Sequence, residues 1–159
     1  MKKDFCIIKV NDENIKSTYT KNILKKLPEW FADKKAIDNY SKEVKKLPYW
    51  AAFNNNNECI GFLSIKIHYK YTAEIFVCGV LSNYQHKGIG KSLYNIAQLY
   101  MIKHDLKYVI VKTLSDIVEF KPYEQTRKFY KSVGFNPLIT LTEMWDEENP
   151  CLIMIKTII

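Results

Sequence analysis

The interpretation of this chain starts from one stretch, Val80–Ser92, with the sequence VLSNYQHKGIGKS. An apolar run ends here, two glycines allow the backbone to turn, and a helical pattern begins. The first N–H groups of a helix have no intrahelical acceptor, so such a turn offers several donors to an anion. Glycine also lets the backbone approach a ligand closely. We therefore predict a phosphate or pyrophosphate site, with a plain strand-to-helix turn as the alternative.

The sequence of this turn matches neither of two common nucleotide-binding motifs. Gln85–Gly90 reads Q-x-x-G-x-G, which is neither the Walker loop nor the dinucleotide fingerprint G-x-G-x-x-G. His86, Lys87 and Lys91 add side-chain donors around the two glycines.

Hydrophobic periodicity on both sides of this turn predicts an α+β domain with the element order β-α-α-β-β-β-α-β-α-β-β. The predicted helices are Ile15–Leu27, Lys34–Leu47, Lys91–His104 and Tyr123–Val133. The predicted strands are Phe5–Val10, Tyr49–Phe53, Cys59–His68, Thr72–Leu81, Tyr108–Thr113, Phe135–Met144 and Cys151–Ile155. Pro122 is expected to open the last helix and Gly134 to end it.

Length and composition predict a single domain over residues 1–159. The chain is 47% hydrophobic, which is enough for one core. No apolar run approaches the roughly 20 residues that span a bilayer, and the first residues do not resemble a secretory leader. We therefore expect a cytoplasmic protein with no membrane partner.

The net charge of +7 raises the question of a polyanionic partner. Of the 24 basic residues, however, only Arg127 is an arginine. Proteins that read nucleic acid depend on arginine for its bidentate fork. The composition therefore favours no nucleic acid and a small phosphate-bearing ligand.

The cysteines show no ligand spacing. Cys6, Cys59, Cys78 and Cys151 each stand in an apolar run, and none forms a C-x-x-C pair. We interpret them as buried, reduced thiols and expect no metal.

A second motif begins forty residues beyond Gly90. Tyr130–Phe135 reads Y-x-x-x-G-F at the end of a predicted helix. With both motifs in this element order, the chain resembles the GNAT superfamily of acyl-CoA-dependent N-acyltransferases. The resemblance implies a mixed, mostly antiparallel sheet flanked by helices. It also implies N-acetyltransferase activity, with acetyl-CoA as the acyl donor and no metal.

The resemblance assigns positions to the donor. The family's Q-x-x-G-x-G turn holds the CoA pyrophosphate, and the preceding strand binds the pantetheine arm. The corresponding cofactor-binding positions are Cys78, Gly79, Val80, Leu81, Gln85, His86, Lys87, Gly88, Ile89, Gly90, Lys91 and Ser92. Tyr123 stands where the family often has a CoA-contacting asparagine, so it is expected to shape the pantetheine channel instead.

Two residues are candidates for catalysis. Glu74 is a lone carboxylate in an apolar strand, which is costly without a partner or a task. It stands where the histone acetyltransferase branch carries its general base; the alternative is an edge carboxylate that faces solvent or pairs with Lys66 or Lys112. The resemblance makes Tyr130 the general acid. His68 and His104 are interpreted as surface or hairpin residues.

The acceptor site is predicted from the segments that flank it in this fold. They contribute Glu29, Trp30, Phe31 and Trp145, with further acids at Asp33, Glu143 and Asp146–Glu148. This acidic, aromatic set favours a small cationic amine, although solvated acids and core tryptophans are an equally simple interpretation. The alternatives are an idle acyl-CoA sensor or scaffold, and a protein lysine or N-terminal acetyltransferase. A homodimer is conceivable.

Overall fold

The computed structural model describes residues 2–158. Its helices are α1 Glu13–Lys25, α2 Lys34–Glu43, α3 Ile89–Lys103 and α4 Lys121–Ser132. Its strands are β1 Phe5–Lys9, β2 Tyr49–Asn54, β3 Cys59–Tyr69, β4 Thr72–Val80, β5 Tyr108–Leu114, β6 Asn136–Asp146 and β7 Asn149–Thr157. The predicted order of helices and strands is confirmed.

Several predicted boundaries are wrong by a few residues. The second predicted helix changes to a 3₁₀ turn at Val44–Lys46. The third begins at Ile89, two residues early, which places Gly90 in its first turn. In the β6–β7 hairpin, Asp146 pairs with Asn149, so the predicted loop shrinks to two residues. Capping and pairing set these ends, and neither follows from hydrophobic periodicity alone.

The strands hydrogen-bond in the order β1-β2-β3-β4-β5-β7-β6. The pairings β1–β2, β2–β3, β5–β7 and β6–β7 are antiparallel. The pairing of β4 with β5 is parallel, with Glu74 opposite Ile110. The sheet is therefore mixed and mostly antiparallel, as predicted for this α+β domain.

The described residues form two compact units. The first holds residues up to Lys66 together with Phe76–Tyr100, and the second holds Ile67–Ile75 and the residues from Met101 onward. The prediction of a single domain over 1–159 stays a prediction.

In the first unit, α1 and α2 begin at aspartate caps. The side chain of Asp12 accepts from the N–H of Ile15, and that of Asp33 accepts from the N–H of Lys35, both at 2.9 Å. Such caps satisfy N–H groups that the helix itself leaves without acceptors. Asp33, which the sequence associates with the acceptor, is therefore a structural residue here.

The core of the first unit lies between α1, α2 and the strands β2–β4. Its buried members are Val10, Ile23, Leu24, Leu27, Ile37, Val44, Tyr49, Ala51, Phe62 and Val77. Two glycines bring the layers close together. A Cβ on Gly61 would lie 3.1 Å from the carbonyl oxygen of Gly79, and a Cβ on Gly79 would lie 3.2 Å from Ile23 Cγ2 of α1. The end of β4 is thus held against both β3 and α1.

In the second unit, the Y-x-x-x-G-F motif forms the C-terminal cap of α4. The N–H of Phe135 donates to the carbonyl of Tyr130 at 3.0 Å, and the N–H of Gly134 donates to that of Lys131 at 3.1 Å. Gly134 has a φ of 106°. These two bonds define a Schellman motif, whose usual apolar contact is supplied by the rings of Tyr130 and Phe135, 5.6 Å apart. Gly134 ends the helix as predicted.

The single arginine belongs to this unit's interior. Arg127 is 8% exposed, and its Nη1 donates to the carbonyl of Leu114 at 2.7 Å. The guanidinium therefore ties α4 to the end of β5. Among helices within residues 2–158, none combines the length and apolar character needed to cross a membrane.

Candidate active site

The predicted anion loop has an unusual backbone. His86 has a φ of 60° and Gly88 a φ of 83°, so two residues just before α3 are left-handed. A histidine seldom adopts this conformation, and strained residues of this kind cluster at functional sites. Alternating conformations also turn successive N–H groups toward one concavity, which suits an anion. Beside Gly88, a Cβ would meet nothing within 4 Å, so the loop is open to a ligand.

The start of α3 adds donors and positive charge. The N–H of Ser92 donates to the carbonyl of Gly88 at 3.0 Å, which closes the first helical turn. The N–H groups of Ile89, Gly90 and Lys91 come before that bond and have no acceptor four residues earlier. The first turn of α3 carries no acidic side chain, while Lys91 is exposed. A lysine is unfavourable at this end of a helix dipole unless an anion binds there.

Gln85 and Tyr84 attach the loop to neighbouring segments of the first unit. Gln85 Nε2 donates to the carbonyl of Val80 at 2.9 Å, which ties the loop to the end of β4. Asn54 Nδ2 donates to Tyr84 Oη at 3.1 Å, and Lys87 Nζ lies 5.6 Å from the centre of the Tyr84 ring. Gln85 is thus a positioning residue, whereas Lys87 is an exposed donor.

The predicted pantetheine strand lies directly before this loop. Cys78, Gly79, Val80 and Leu81 are all half-buried. A cavity of about 240 Å³ follows, lined by Lys26, Leu81, Ser82, Asn83 and Tyr84. Pockets that enclose a whole small molecule measure about 300–1,000 Å³. This cavity therefore accommodates only part of a ligand.

Glu74 forms a polar cluster in the second unit. Its side chain is 7% exposed, and its Oε1 lies 2.6 Å from His68 Nε2 and 3.5 Å from Lys112 Nζ. Of the two lysine partners considered from the sequence, Lys112 makes the contact, while Lys66 pairs with Glu43 at 3.5 Å. A carboxylate at this depth needs such partners.

Sequence reasoning missed the contact of His68. The residue does lie at the β3–β4 hairpin, as the sequence predicts, but its ring reaches across to Glu74. His68 lies two residues before the two-residue turn Lys70–Tyr71, and Glu74 lies three residues after it. A two-residue turn places Ile67, and not His68, opposite Glu74, so the spacing did not indicate this contact.

The two predicted tyrosines differ in burial. Tyr130 is 6% exposed and packs against the rings of Phe129 and Phe135, at 5.4 and 5.6 Å. Tyr123 is half-buried beside Phe120, with ring centres 6.0 Å apart. The structure therefore assigns the Tyr130 ring to packing; the role of its hydroxyl stays a prediction.

The residues predicted for the acceptor divide between the two units. In the first, Glu29 is exposed, while Trp30 and Phe31 pack against the core. In the second, Trp145 is 47% exposed, so its interpretation as a core residue is wrong because β6 lies at the edge of the sheet. Asp146 accepts from the N–H groups of Glu148 and Asn149 at 3.0 and 2.9 Å, a structural turn.

The four thiols are free, but they are not equally buried. Cys151 is buried and Cys59 and Cys78 are half-buried, whereas Cys6 is exposed. The prediction of burial is thus wrong for Cys6, because β1 is an edge strand with one side open. Within residues 2–158, no three candidate ligands among His, Cys, Asp and Glu come together as a metal site.

Thiol reactivity should separate these cysteines. Burial raises the pKa of Cys59 to about 11, and the thiolate is the reactive form. At pH 8 we expect a disulfide reagent to modify Cys6 at least tenfold faster than Cys59, with the rate at Cys59 rising toward pH 11. Peptide mass spectrometry measures both rates, and Cys6→Ser removes the fast phase. Equal rates at pH 8 would contradict the burial of Cys59.

The sequence matches the acetyltransferase (GNAT) family over residues 15–135, and the chain belongs to this family. It is therefore an N-acetyltransferase by class, and acetyl-CoA is the acyl donor that the family uses. The open loop before α3, its free helical N–H groups and its lysines fit the phosphates of that donor.

Solved structures share the fold. An aminoglycoside 6'-N-acetyltransferase complexed with coenzyme A is 18% identical, with a TM-score of 0.78 and 97% of each chain covered. The aminoglycoside 6'-N-acetyltransferase of Enterococcus faecium is 19% identical, with a TM-score of 0.74 and the same coverage. The ribosomal-protein-S18-alanine N-acetyltransferase of Escherichia coli is 15% identical, with a TM-score of 0.72, covering 96% of this chain and 94% of its own. No curated protein sequence matches the chain significantly.

Proposed function

We propose that this protein transfers the acetyl group of acetyl-CoA to a primary amine of a small cationic molecule, by direct attack in a ternary complex. The observation that carries the proposal is the buried carboxylate of Glu74, with an imidazole at 2.6 Å. A proton acceptor on the strand that leads into the phosphate loop is what amine acetylation needs, because an ammonium ion cannot attack a carbonyl. An acyl-CoA sensor requires only the loop.

The donor is held by the loop and by the end of β4. The N–H groups of Ile89, Gly90 and Lys91 bind the pyrophosphate, with Lys87 and His86 at its rim. Backbone groups of Cys78–Leu81 bind the pantetheine arm. When bound, acetyl-CoA supplies a thioester carbonyl as the electrophile. A backbone N–H of residues 78–80 stabilises the negative charge that develops on its oxygen.

Two side chains move protons in the proposed reaction. Glu74, directly or through water or a group that it holds, removes a proton from the acceptor ammonium. The free amine forms the new C–N bond, and the C–S bond breaks. Tyr130 protonates the departing sulfur, and the second proton that the nitrogen loses on becoming an amide restores the tyrosine hydroxyl. Cys78 is treated as a packing residue and not as a nucleophile, so no acetyl group should be found on it in the absence of an acceptor.

The acceptor's charge is inferred from the hairpin tip and the α1–α2 connector. Glu143, Glu147 and Glu148 are exposed beside Trp145, and Glu29 is exposed beside Trp30 and Phe31. Carboxylates attract a cation, and aromatic faces add cation–π attraction. Two of the structural relatives are named for aminoglycosides, which are polycationic amines, and this likeness supports the same acceptor class here.

Removing the acidic charge should weaken acceptor binding. We expect the triple variant Glu143→Gln, Glu147→Gln, Glu148→Gln to raise KM for a cationic amine about tenfold, because exposed ion pairs contribute up to about 0.5 kcal/mol each. Asp146 is left in place because it caps the turn. The matched control exchanges Glu13, Glu58 and Glu119 for glutamine. Steady-state kinetics measure both KM values. The triple variant should leave KM for acetyl-CoA unchanged, and an unchanged KM for the amine would contradict this acceptor site.

The deciding experiment measures thiol release from acetyl-CoA with a panel of amines. The panel holds aminoglycosides, polyamines, and peptides with free lysines or a free N-terminus. We expect turnover with a small polycationic amine. Turnover with peptides alone would indicate a protein lysine or N-terminal acetyltransferase. No turnover despite tight CoA binding would indicate a sensor or scaffold.

A further inference from the structure

The contact between Glu74 and His68 constrains the hydrogen atoms of both groups. An ionised carboxylate only accepts hydrogen bonds. Because Glu74 Oε1 lies 2.6 Å from His68 Nε2, Nε2 must carry the hydrogen in this state. The other ring nitrogen, Nδ1, then keeps its lone pair in the neutral imidazole. The contact therefore selects the tautomer in which Nδ1 is the basic atom.

Two further strands, β5 and β7, place titratable groups beside the pair. Lys112 on β5 lies 3.5 Å from the same oxygen of Glu74. Burial of the Cys151 thiol on β7 has the largest effect on its pKa and raises it. Of the two nearby charged groups, Lys112 lowers this pKa and Glu74 raises it. Lys66 on β3 pairs with Glu43. Glu74 Oε1 thus lies between two groups that can donate a hydrogen bond to it.

Exposure distinguishes the two partners. The Glu74 side chain is 7% exposed, whereas that of His68 is 31% exposed. A substrate or a water molecule can reach the imidazole more readily than the carboxylate. A proton taken up by the ring can also leave to solvent.

We infer that Nδ1 of His68 is the atom that removes the proton from the acceptor ammonium, and that Glu74 is a positioning residue acting through it. This inference rests on the proposed function and names the group through which Glu74 works. The proton passes from the ammonium nitrogen to Nδ1, and the imidazolium that forms is stabilised by the Glu74 carboxylate. The ring returns to neutral by losing that proton to water.

The variant His68→Gln tests this assignment, because a glutamine amide can still donate to Glu74 but has no basic nitrogen. We expect kcat with a primary amine at pH 7 to fall about 100-fold, with KM for acetyl-CoA unchanged. Because the variant has no basic ring nitrogen, the acidic limb that His68 gives to the wild-type rate profile should disappear. The variant's rate should instead rise with pH as the free amine fraction grows. The matched control, His104→Gln at an exposed position just after α3, should keep wild-type kinetics.

Glu74→Gln and the double variant separate the possible outcomes. If the pair acts as a unit, the double variant should be no slower than His68→Gln. If Glu74→Gln loses about 100-fold while His68→Gln stays within threefold with the wild-type pH profile, Glu74 acts without His68 and the inference is wrong, although the proposed function stands. A wild-type protein that acetylates no amine overturns both.

The tautomer gives a readout that needs no turnover. Long-range ¹H–¹⁵N spectra of the labelled full chain should show His68 as the Nε2–H form. Glu74→Gln should reduce that preference, while the signals of His104 should not change. A His68 ring protonated at Nδ1 in the neutral state would overturn the inference.

Discussion

Replacing Gly88 with aspartate is expected to weaken binding of coenzyme A about 100-fold. The side chain would stand in the open loop before α3, where a Cβ meets nothing within 4 Å, so it would face the ligand. A carboxylate a few ångströms from a pyrophosphate costs about 3 kcal/mol at the effective dielectric of a protein surface. Titration calorimetry with coenzyme A measures the loss.

The control for this experiment is Gly88→Asn. Asparagine has nearly the same shape and tolerates the positive φ of this position about as well, so only the charge differs. The melting temperatures of the two variants should agree closely, and asparagine should cost less than tenfold in affinity. If aspartate and asparagine bind coenzyme A equally, the loop does not hold the pyrophosphate.

Replacing Tyr130 with phenylalanine is expected to lower kcat about 100-fold while leaving the fold intact. The ring completes the C-terminal cap of α4 through its contact with Phe135 at 5.6 Å, and phenylalanine preserves that contact. Only the hydroxyl is lost, and with it the proposed proton donor to the departing thiolate. Stopped-flow or steady-state assays with acetyl-CoA and the best amine of the panel give kcat and both KM values.

Tyr108→Phe is the control, since it removes a hydroxyl from a tyrosine that is 42% exposed on β5 and has no proposed role. It should keep kcat within about threefold. The effect of Tyr130→Phe should also shrink with a donor whose thiol is more acidic, because such a leaving group needs less protonation. An unchanged kcat in Tyr130→Phe would assign the tyrosine to packing alone.

The sequence predicted what depends on local pattern. Helical and strand periodicities determined the element order, because they report which side of each element is buried. Gly134 was identified as a helix stop because glycine commonly follows the last turn of a helix. The anion loop was found from its two glycines, but the left-handed His86 was not, since nothing local distinguishes that histidine from an ordinary loop residue.

What the sequence could not predict are polar contacts made inside the fold. Lys16 is 7% exposed, and its Nζ donates to the carbonyl of Leu47 at 2.7 Å, although a lysine on a helix is usually solvated. Arg127 stood out in the sequence only as the single arginine, and in the fold it donates to the backbone carbonyl of Leu114. The contact of His68 with Glu74 joins positions that are not directly opposite in the β3–β4 hairpin, so strand alternation does not predict it.

The left-handed residues His86 and Gly88 also bear on the thermodynamics of recognition. Their backbone angles, and the bond from Gln85 to Val80, are set by the folded chain itself. The chain therefore loses the entropy of ordering this loop when it folds, and not when it binds the donor. Mutations elsewhere that lower the free energy of unfolding should leave the affinity for the donor unchanged until the protein melts, so stability and donor recognition can vary independently in this chain.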